Sequence, residues 1–306
     1  MNQLLPRRII PSKAVVNLYY KHIKPRTITN GILPPVLINI HGLFGSSMMF
    51  RSLGRRLARE SNYEVYNVDL RNHGQSPQVK PFNYMAMKAD LIHFIETHIE
   101  PEQSIYLLGF SLGGKVGLLT ALDGSINVKK CISIDIPPYE TPILDRMITE
   151  NAEMIRKIHY QEVKILRGRH NWGRKVLDMF KALPINNEKT ALYFANGFLQ
   201  HQPNNEVSTT NPYVEFYLPF QEFPTLFDEI KRWPIEESRN KETAVPTLFM
   251  KGIFSTFIKT DYSLLKKSFP NSGIQEFATS HNVLVDDPTH SFECIKNFLQ
   301  DEAINV

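Results

Sequence analysis

The sequence predicts an α/β fold: a mainly parallel sheet with helices on both faces and a helical cap inserted above the strand ends. Three observations carry that expectation. Short apolar, β-branched runs recur at Val36-Ile40, Val65-Asp69, Ile105-Leu108, Cys131-Asp135, Pro246-Met250 and Ile274-Phe277, and most are separated by helix-length amphipathic segments. The rhythm breaks between Pro138 and Pro234, and a structureless loop of roughly a hundred residues is improbable, so this stretch is expected to form the cap. A G-x-S-x-G motif falls between an apolar run and a helical one.

Taken in order, the chain divides into a possible short targeting segment at 1–13, a first part of the core at 14–137, the cap at 138–240 and the rest of the core at 241–306. At 306 residues and 42% hydrophobic content, it can bury one large core. Met1 to Arg26 carries six basic residues and no acid, the charge bias of a mitochondrial presequence. It also has prolines at 6, 11 and 25 and one serine, so any cleavable part is expected to be short, and Ala14 to Tyr20 is read as a candidate first strand. Residues 1 to 59 hold ten Lys or Arg and no carboxylate, which leaves 25 − 31 = −6 for the remainder. Of these, Arg51, Arg55, Arg56 and Arg59 read as the solvated face of one amphipathic helix rather than as a nucleic-acid surface. No run of about 18 apolar residues is present, so no membrane span is expected. Cys131 and Cys294 are too few for a disulfide framework and read as core residues. No feature specifies an oligomeric state.

The nucleophile candidate is Ser111, in Ile105-Tyr-Leu-Leu-Gly109-Phe-Ser111-Leu-Gly113-Gly-Lys115. Glycines two residues either side of it suit a strand-to-helix turn too tight for side chains, and the hydroxyl then projects at a helix N-terminus, where developing negative charge is favoured. The run His41-Gly-Leu43-Phe44-Gly-Ser-Ser47 follows an earlier strand. It is placed to supply half of an oxyanion hole through the backbone N–H of Leu43, or of Phe44, with the N–H of Leu112 as the other half. His41 could serve as a second base, but beside glycines its imidazole is better read as a brace for this loop.

Ten histidines compete for the base. Only His281 and His290 follow the last strand, as the chain order serine, acid, histidine requires, and His281 is favoured because His290 falls in the final helix. That helix should start with Asp287 as N-cap and Pro288 as first residue, ending near Leu299. The acid usually follows the strand that here reads Pro246-Met250, but Thr256 stands there and Asp261 comes a few residues late. Asp135, at the carboxyl end of the neighbouring run, can reach His281 and is favoured over Asp261. Asp69 and His73, in Asp69-Leu-Arg-Asn-His73-Gly-Gln-Ser-Pro77, are read as parts of a tight surface turn. A serine at the elbow excludes epoxide-hydrolase and dehalogenase chemistry, which needs an aspartate there.

At these residues the chain resembles the fungal mitochondrial alcohol acetyltransferases, the ethanol acetyltransferase branch of the α/β-hydrolases. The resemblance rests on His41-Gly-Leu-Phe-Gly-Ser46, Asp69-Leu-Arg-Asn-His-Gly74, Gly109-Phe-Ser-Leu-Gly-Gly-Lys115, Ile134-Asp-Ile-Pro-Pro138, Lys231-Arg-Trp-Pro234 and the loop from Lys251 to Ile258. It implies the α/β-hydrolase fold, Ser111, Asp135 and His281 as triad, acetyl-CoA as co-substrate, ethanol as acceptor, esterase and thioesterase side activities, and a mitochondrial address. The expected partners are small molecules: an acyl-CoA, a short alcohol or a short ester. No metal or redox cofactor is called for. A plain carboxylesterase or acyl-CoA thioesterase is the nearest alternative, and a non-catalytic binding protein a more distant one.

Overall fold

The computed structural model describes residues 12–27, 33–142, 171–182 and 225–300. The β-branched runs form β1 (Tyr20–Ile23), β2 (Val36–Ile40), β3 (Glu64–Val68), β4 (Ile105–Phe110), β5 (Val128–Ile134), β6 (Thr247–Gly252) and β7 (Ser272–Phe277). They assemble in the order β1-β3-β2-β4-β5-β6-β7, with β1 antiparallel to β3 and every other pair parallel. The carboxyl ends of β2 to β7 therefore share one edge, where ligand sites of such sheets lie.

Side chains alternate between the two faces of each strand, and each face carries its own core. On one, Val36, Ile38 and Ile40 of β2 and Leu107 of β4 pack with α2 (Tyr84–His98) and α3 (Leu112–Asp123). On the other, Leu37, Leu108, Phe110, Ile132 and Ile134 pack beneath α1 (Arg51–Glu60) and, further along the chain, the last helix, Pro288–Gln300. Helix α1 turns Leu57 and Ala58 inward and Arg51, Arg55 and Arg59 to solvent, the amphipathic arrangement its sequence predicts.

Within 138–240 the described elements are α4 (Trp172–Lys181), α5 (Thr225–Lys231) and α6 (Ile235–Ser238). The rest of the expected cap, with Tyr193, Phe194, Phe216 and Phe220, lies outside the described residues, as do residues 1–11 of the targeting segment. Three further helices complete the core: α7 (Ser263–Ser268), α8 (Val283–Asp286) and α9 (Pro288–Gln300). No described helix is long and apolar enough to cross a membrane.

Three local expectations are corrected. Residues 14–19 are not a strand; β1 starts at Tyr20. The reason is that side chains, not a ladder, satisfy this stretch: Val16 N–H donates to Asp90 Oδ1 (2.8 Å), and Arg71 donates to the Lys13 and Ala14 carbonyls (3.3 and 3.0 Å). The turn at 69–77 is not on the surface, because Asp69, Arg71, Asn72 and His73 are all buried. Arg71 is held there by a bidentate ion pair with the equally buried Asp90 (2.5 and 2.6 Å). Cys131 is in the core, with burial pushing its thiol up to about 12, but Cys294 is only half-buried.

Candidate active site

Strand β4 delivers Ser111 to the carboxyl edge, and the turn there is as tight as the glycines imply. Ser111 has φ 51° and ψ −116°, a left-handed conformation uncommon for any residue with a Cβ. A Cβ on Gly109 would lie 2.3 Å from the Gly113 carbonyl oxygen, and one on Gly113 would lie 2.2 Å from that of Ile40. The two glycines thus let α3 pack against β4 and β2 directly after the turn. Ser111 N–H donates to the Ile134 carbonyl (3.1 Å), which ties the elbow to the end of β5. The next amide, that of Leu112, opens α3, where the N–H groups have no acceptor within the helix and the dipole favours negative charge.

One residue beyond β5 stands Asp135, also left-handed at φ 50° and fully buried. Its backbone N–H donates to Met250 O (2.7 Å). Its carboxylate is fully engaged, with Oδ1 accepting from Gly252 N–H (3.0 Å) and Oδ2 lying 2.8 Å from His281 Nδ1. His281 sits on the loop after β7, four residues past Phe277, its side chain 18% exposed between the rings of Phe110 and Phe257, at 4.9 and 4.4 Å. With Nδ1 given to Asp135, the proton on His281 is assigned to Nδ1, which leaves Nε2 as the basic lone pair. Such a pair can take a proton from a neighbouring hydroxyl while the buried carboxylate steadies the imidazolium.

The competing residues are placed elsewhere. His290 lies in the first turn of α9, 81% exposed and paired with Asp287 at 2.8 Å. Asp261 is exposed and accepts from Ser263 N–H at 3.0 Å, a local turn bond.

The loop after β2 is bound to the loop after β3 by crossed bonds. His41 Nε2 accepts from Leu70 N–H (3.0 Å) while its Nδ1 lies 2.7 Å from Gly42 O. Reciprocally, His73 Nε2 accepts from Phe44 N–H (3.3 Å) and its Nδ1 lies 3.0 Å from Arg71 O. Asp69 accepts from Ser47 N–H (2.5 Å) and from Gln75 N–H (2.9 Å). Both imidazoles are thus neutral, each proton on Nδ1, and burial holds both below the ordinary imidazole range, His73 well below it. His41 is therefore a brace. Phe44 is itself left-handed at φ 65°, and the His73 bond engages its amide.

Four residues contribute here to which the sequence reading assigns no role. Gly252 donates to Asp135, and a Cβ there would lie 2.2 Å from the Ser280 carbonyl oxygen, so its smallness brings β6 under the His281 loop. Phe257 and Phe110 box the imidazole. Lys115, one turn into α3, is fully buried. Among the described residues no group of three or more His, Cys, Asp or Glu side chains is placed to share a metal ion.

Known proteins resemble this chain over most of its length. A sequence model of the α/β hydrolase fold matches residues 35–288. A probable alcohol acetyltransferase of Wickerhamomyces anomalus is 26% identical over 96% of this chain and 88% of its own length. The protein named ethanol acetyltransferase 1 is 24% identical in Cyberlindnera fabianii, over 97% of this chain and 90% of that one, and 28% identical in Wickerhamomyces ciferrii, over 97% and 77%. Among solved structures, a marine microorganism esterase superposes with a TM-score of 0.76 at 21% identity, covering 92% of this chain and 99% of its own. An E-2-(acetamidomethylene)succinate hydrolase superposes at 0.68 with 17% identity, over 94% and 96%. These two show a shared fold.

Proposed function

The chain belongs to the α/β-hydrolase family, and we propose that it is a serine acyltransferase that makes ethyl acetate from acetyl-CoA and ethanol through an acetyl-serine on Ser111. The observation that carries the proposal is the 2.8 Å contact of His281 Nδ1 with a buried Asp135, which directs the basic Nε2 away from the carboxylate. Ser111 Oγ attacks the thioester carbonyl as His281 Nε2 takes its proton, and the carbonyl oxygen becomes an oxyanion facing the Leu43 and Leu112 amides. The carbon–sulfur bond then breaks, and the thiol of coenzyme A leaves with the proton held on His281. Ethanol loses its proton to the same nitrogen as it attacks the acetyl-serine, which releases ethyl acetate and restores Ser111. The names of the curated relatives support the acetyl donor and the alcohol acceptor.

Water can replace ethanol in the second half. Partial exposure of His281 leaves its imidazole open to solvent, so esterase and thioesterase side activities belong to the proposal. The basic, acid-free N-terminal stretch supports a mitochondrial address, which import of a tagged full-length chain tests.

The experiment for the reaction itself is turnover of acetyl-CoA by wild type and Ser111→Ala across an ethanol series, with free coenzyme A and ethyl acetate followed together. Ethyl acetate should rise with ethanol and vanish in the variant. Coenzyme A release without ester at every ethanol concentration would overturn the transferase reading in favour of a thioesterase.

A further inference from the structure

Lys115 is a buried base that the acyl-transfer steps do not use. Its backbone N–H donates to the Ser111 carbonyl (3.1 Å), so it rides on the same turn as the nucleophile. Its side chain runs the other way. Nζ donates to the Tyr139 carbonyl at 2.8 Å and reaches Thr141 Oγ1 at 3.4 Å, and the rings of Trp233 and Tyr84 face it with centroids at 5.2 and 5.7 Å. Tyr139 and Thr141 form the root by which the chain leaves the sheet after β5 for the inserted segment. Trp233 belongs to the root by which it returns to β6. One amine therefore touches the nucleophile helix and both roots of the insertion.

What surrounds that amine does not suit a permanent ammonium. Among the described residues three N–H donors meet two oxygen acceptors, one of them distant, and no carboxylate pairs with Nζ. Glu140, the charged group acting on it, is exposed and outside ion-pair distance. Tyr84 and Tyr139 are pushed up by burial and keep their protons near neutrality, while Thr141 and Trp233 do not titrate. A buried cation without a carboxylate partner carries a desolvation cost that the neutral amine avoids, and the two ring faces offset that cost only in part. Burial lowers Lys115 to about 7.

We infer that Lys115 is a positioning residue, in which gain or loss of a proton on Nζ sets how closely the two roots of the insertion are drawn onto the nucleophile helix, and with them how the turn that carries Ser111 is set for its acyl acceptor. The sign follows from linkage. The closed arrangement favours the neutral amine, whereas an arrangement with parted roots lets water reach Nζ and restores an ordinary ammonium. The parted form therefore holds an extra proton between the ordinary lysine range and about 7, so parting grows as pH falls across that window and levels off below about 7, where both forms are protonated. The kinetic consequence rests on the serine-acyl reading above; the structural one does not.

The test compares wild type, Lys115→Met and Lys115→Arg by backbone hydrogen exchange over 139–142 and 230–233 at pH 6 and 8.5, corrected for intrinsic exchange, alongside kcat and KM for ethanol. In wild type, protection of both roots should rise about threefold or more with pH, within the tenfold per unit that one proton allows, and KM should fall in step while kcat at saturation follows its own profile. Lys115→Met should hold the protected, low-KM form at both pH values, and Lys115→Arg, which keeps its charge, the open one. Should the arginine variant not fold, the methionine variant decides alone. Equal protection at both pH values in wild type, or a pH step that survives in Lys115→Met, would overturn the inference. Exchange requires no turnover, so a failure of the serine mechanism would show separately, as activity remaining in Ser111→Ala.

Discussion

Among the described residues, two groups of histidine and aspartate side chains stand at the carboxyl edge of the sheet, and only one has a nitrogen to spare. In the first, Asp69, His41, His73 and Ser47 join the loops after β2 and β3. Both Asp69 oxygens accept from backbone N–H groups, and all four imidazole nitrogens face backbone partners. In the second, Asp135 engages only Nδ1 of His281, whose side chain remains partly exposed. His41 and His73 are buried. Residue types alone do not distinguish a catalytic group from a brace. The distinction lies in whether the histidine's second nitrogen is spent on the backbone and whether substrate can reach it.

The sharpest way to break that comparison is to remove the carboxylate from the second group. Asp135→Asn keeps the shape but can place a donor at Nδ1, which leaves the lone pair on Nδ1 and the proton on Nε2, where the proposed transfer from Ser111 needs the lone pair. The expected loss in kcat is about 10⁴-fold, the scale seen when a triad acid is lost. Circular dichroism and a thermal melt would show the fold retained. A loss of less than tenfold would remove Asp135 from the mechanism.

How much of this was legible beforehand differs between the two groups. The parallel sheet was, because apolar, β-branched runs four or five residues long announce buried strands, and so was the elbow, because a strand-to-helix turn this tight needs glycine at both 109 and 113. Asp135 could be placed at a strand end beside β4 from the order of the runs alone. In the bracing group the role of His41 was legible but its partners were not, since its bonds join residues 29 apart, and a glycine- and proline-rich turn reads as surface. Only the buried Arg71 and Asp90 pair, also distant in sequence, explains why the turn lies inside. The contribution of Gly252 was hidden for the same reason: its partner Asp135 is 117 residues away.

If the first group is purely a brace, disturbing it should slow the reaction without abolishing it. His73→Leu removes the acceptor from Phe44 N–H and loosens the loop that carries Leu43. We expect kcat to fall about 10- to 100-fold with KM nearly unchanged, short of the 10²- to 10³-fold cost of losing an oxyanion donor outright. His73→Gln, whose side-chain oxygen can accept the same bond, should recover part of the rate. Recovery of nothing, with a loss as large as that of Asp135→Asn, would promote His73 from brace to participant.

A smaller effect should appear in stability against pH. His41 and His73 are held neutral by burial, so their folded-state values lie below the ordinary 6.5. Below about pH 6.5 the unfolded chain binds more protons than the folded one, and stability is lost as pH falls. Urea midpoints between pH 7 and 5 should decline in wild type and decline less steeply in His73→Gln. An unchanged slope would mean that His73 does not contribute to acid sensitivity.

The smallest effect is expected at Asp261, where the comparison predicts silence. Its position after β6 is near the place where a triad acid would be sought, yet its carboxylate is exposed and spent on Ser263 N–H two residues on. Phe257 and the Asp135 contact already occupy the surroundings of His281, which leaves Asp261 no route to the imidazole without rebuilding the loop. Asp261→Asn retains an oxygen for the Ser263 bond, so kcat and kcat/KM should stay within about twofold of wild type, as surface substitutions away from special features generally do. If the substitution instead cost 10³-fold while Asp135→Asn did little, the acid would belong to the later loop, and the fully engaged Asp135 would be a second brace, like Asp69.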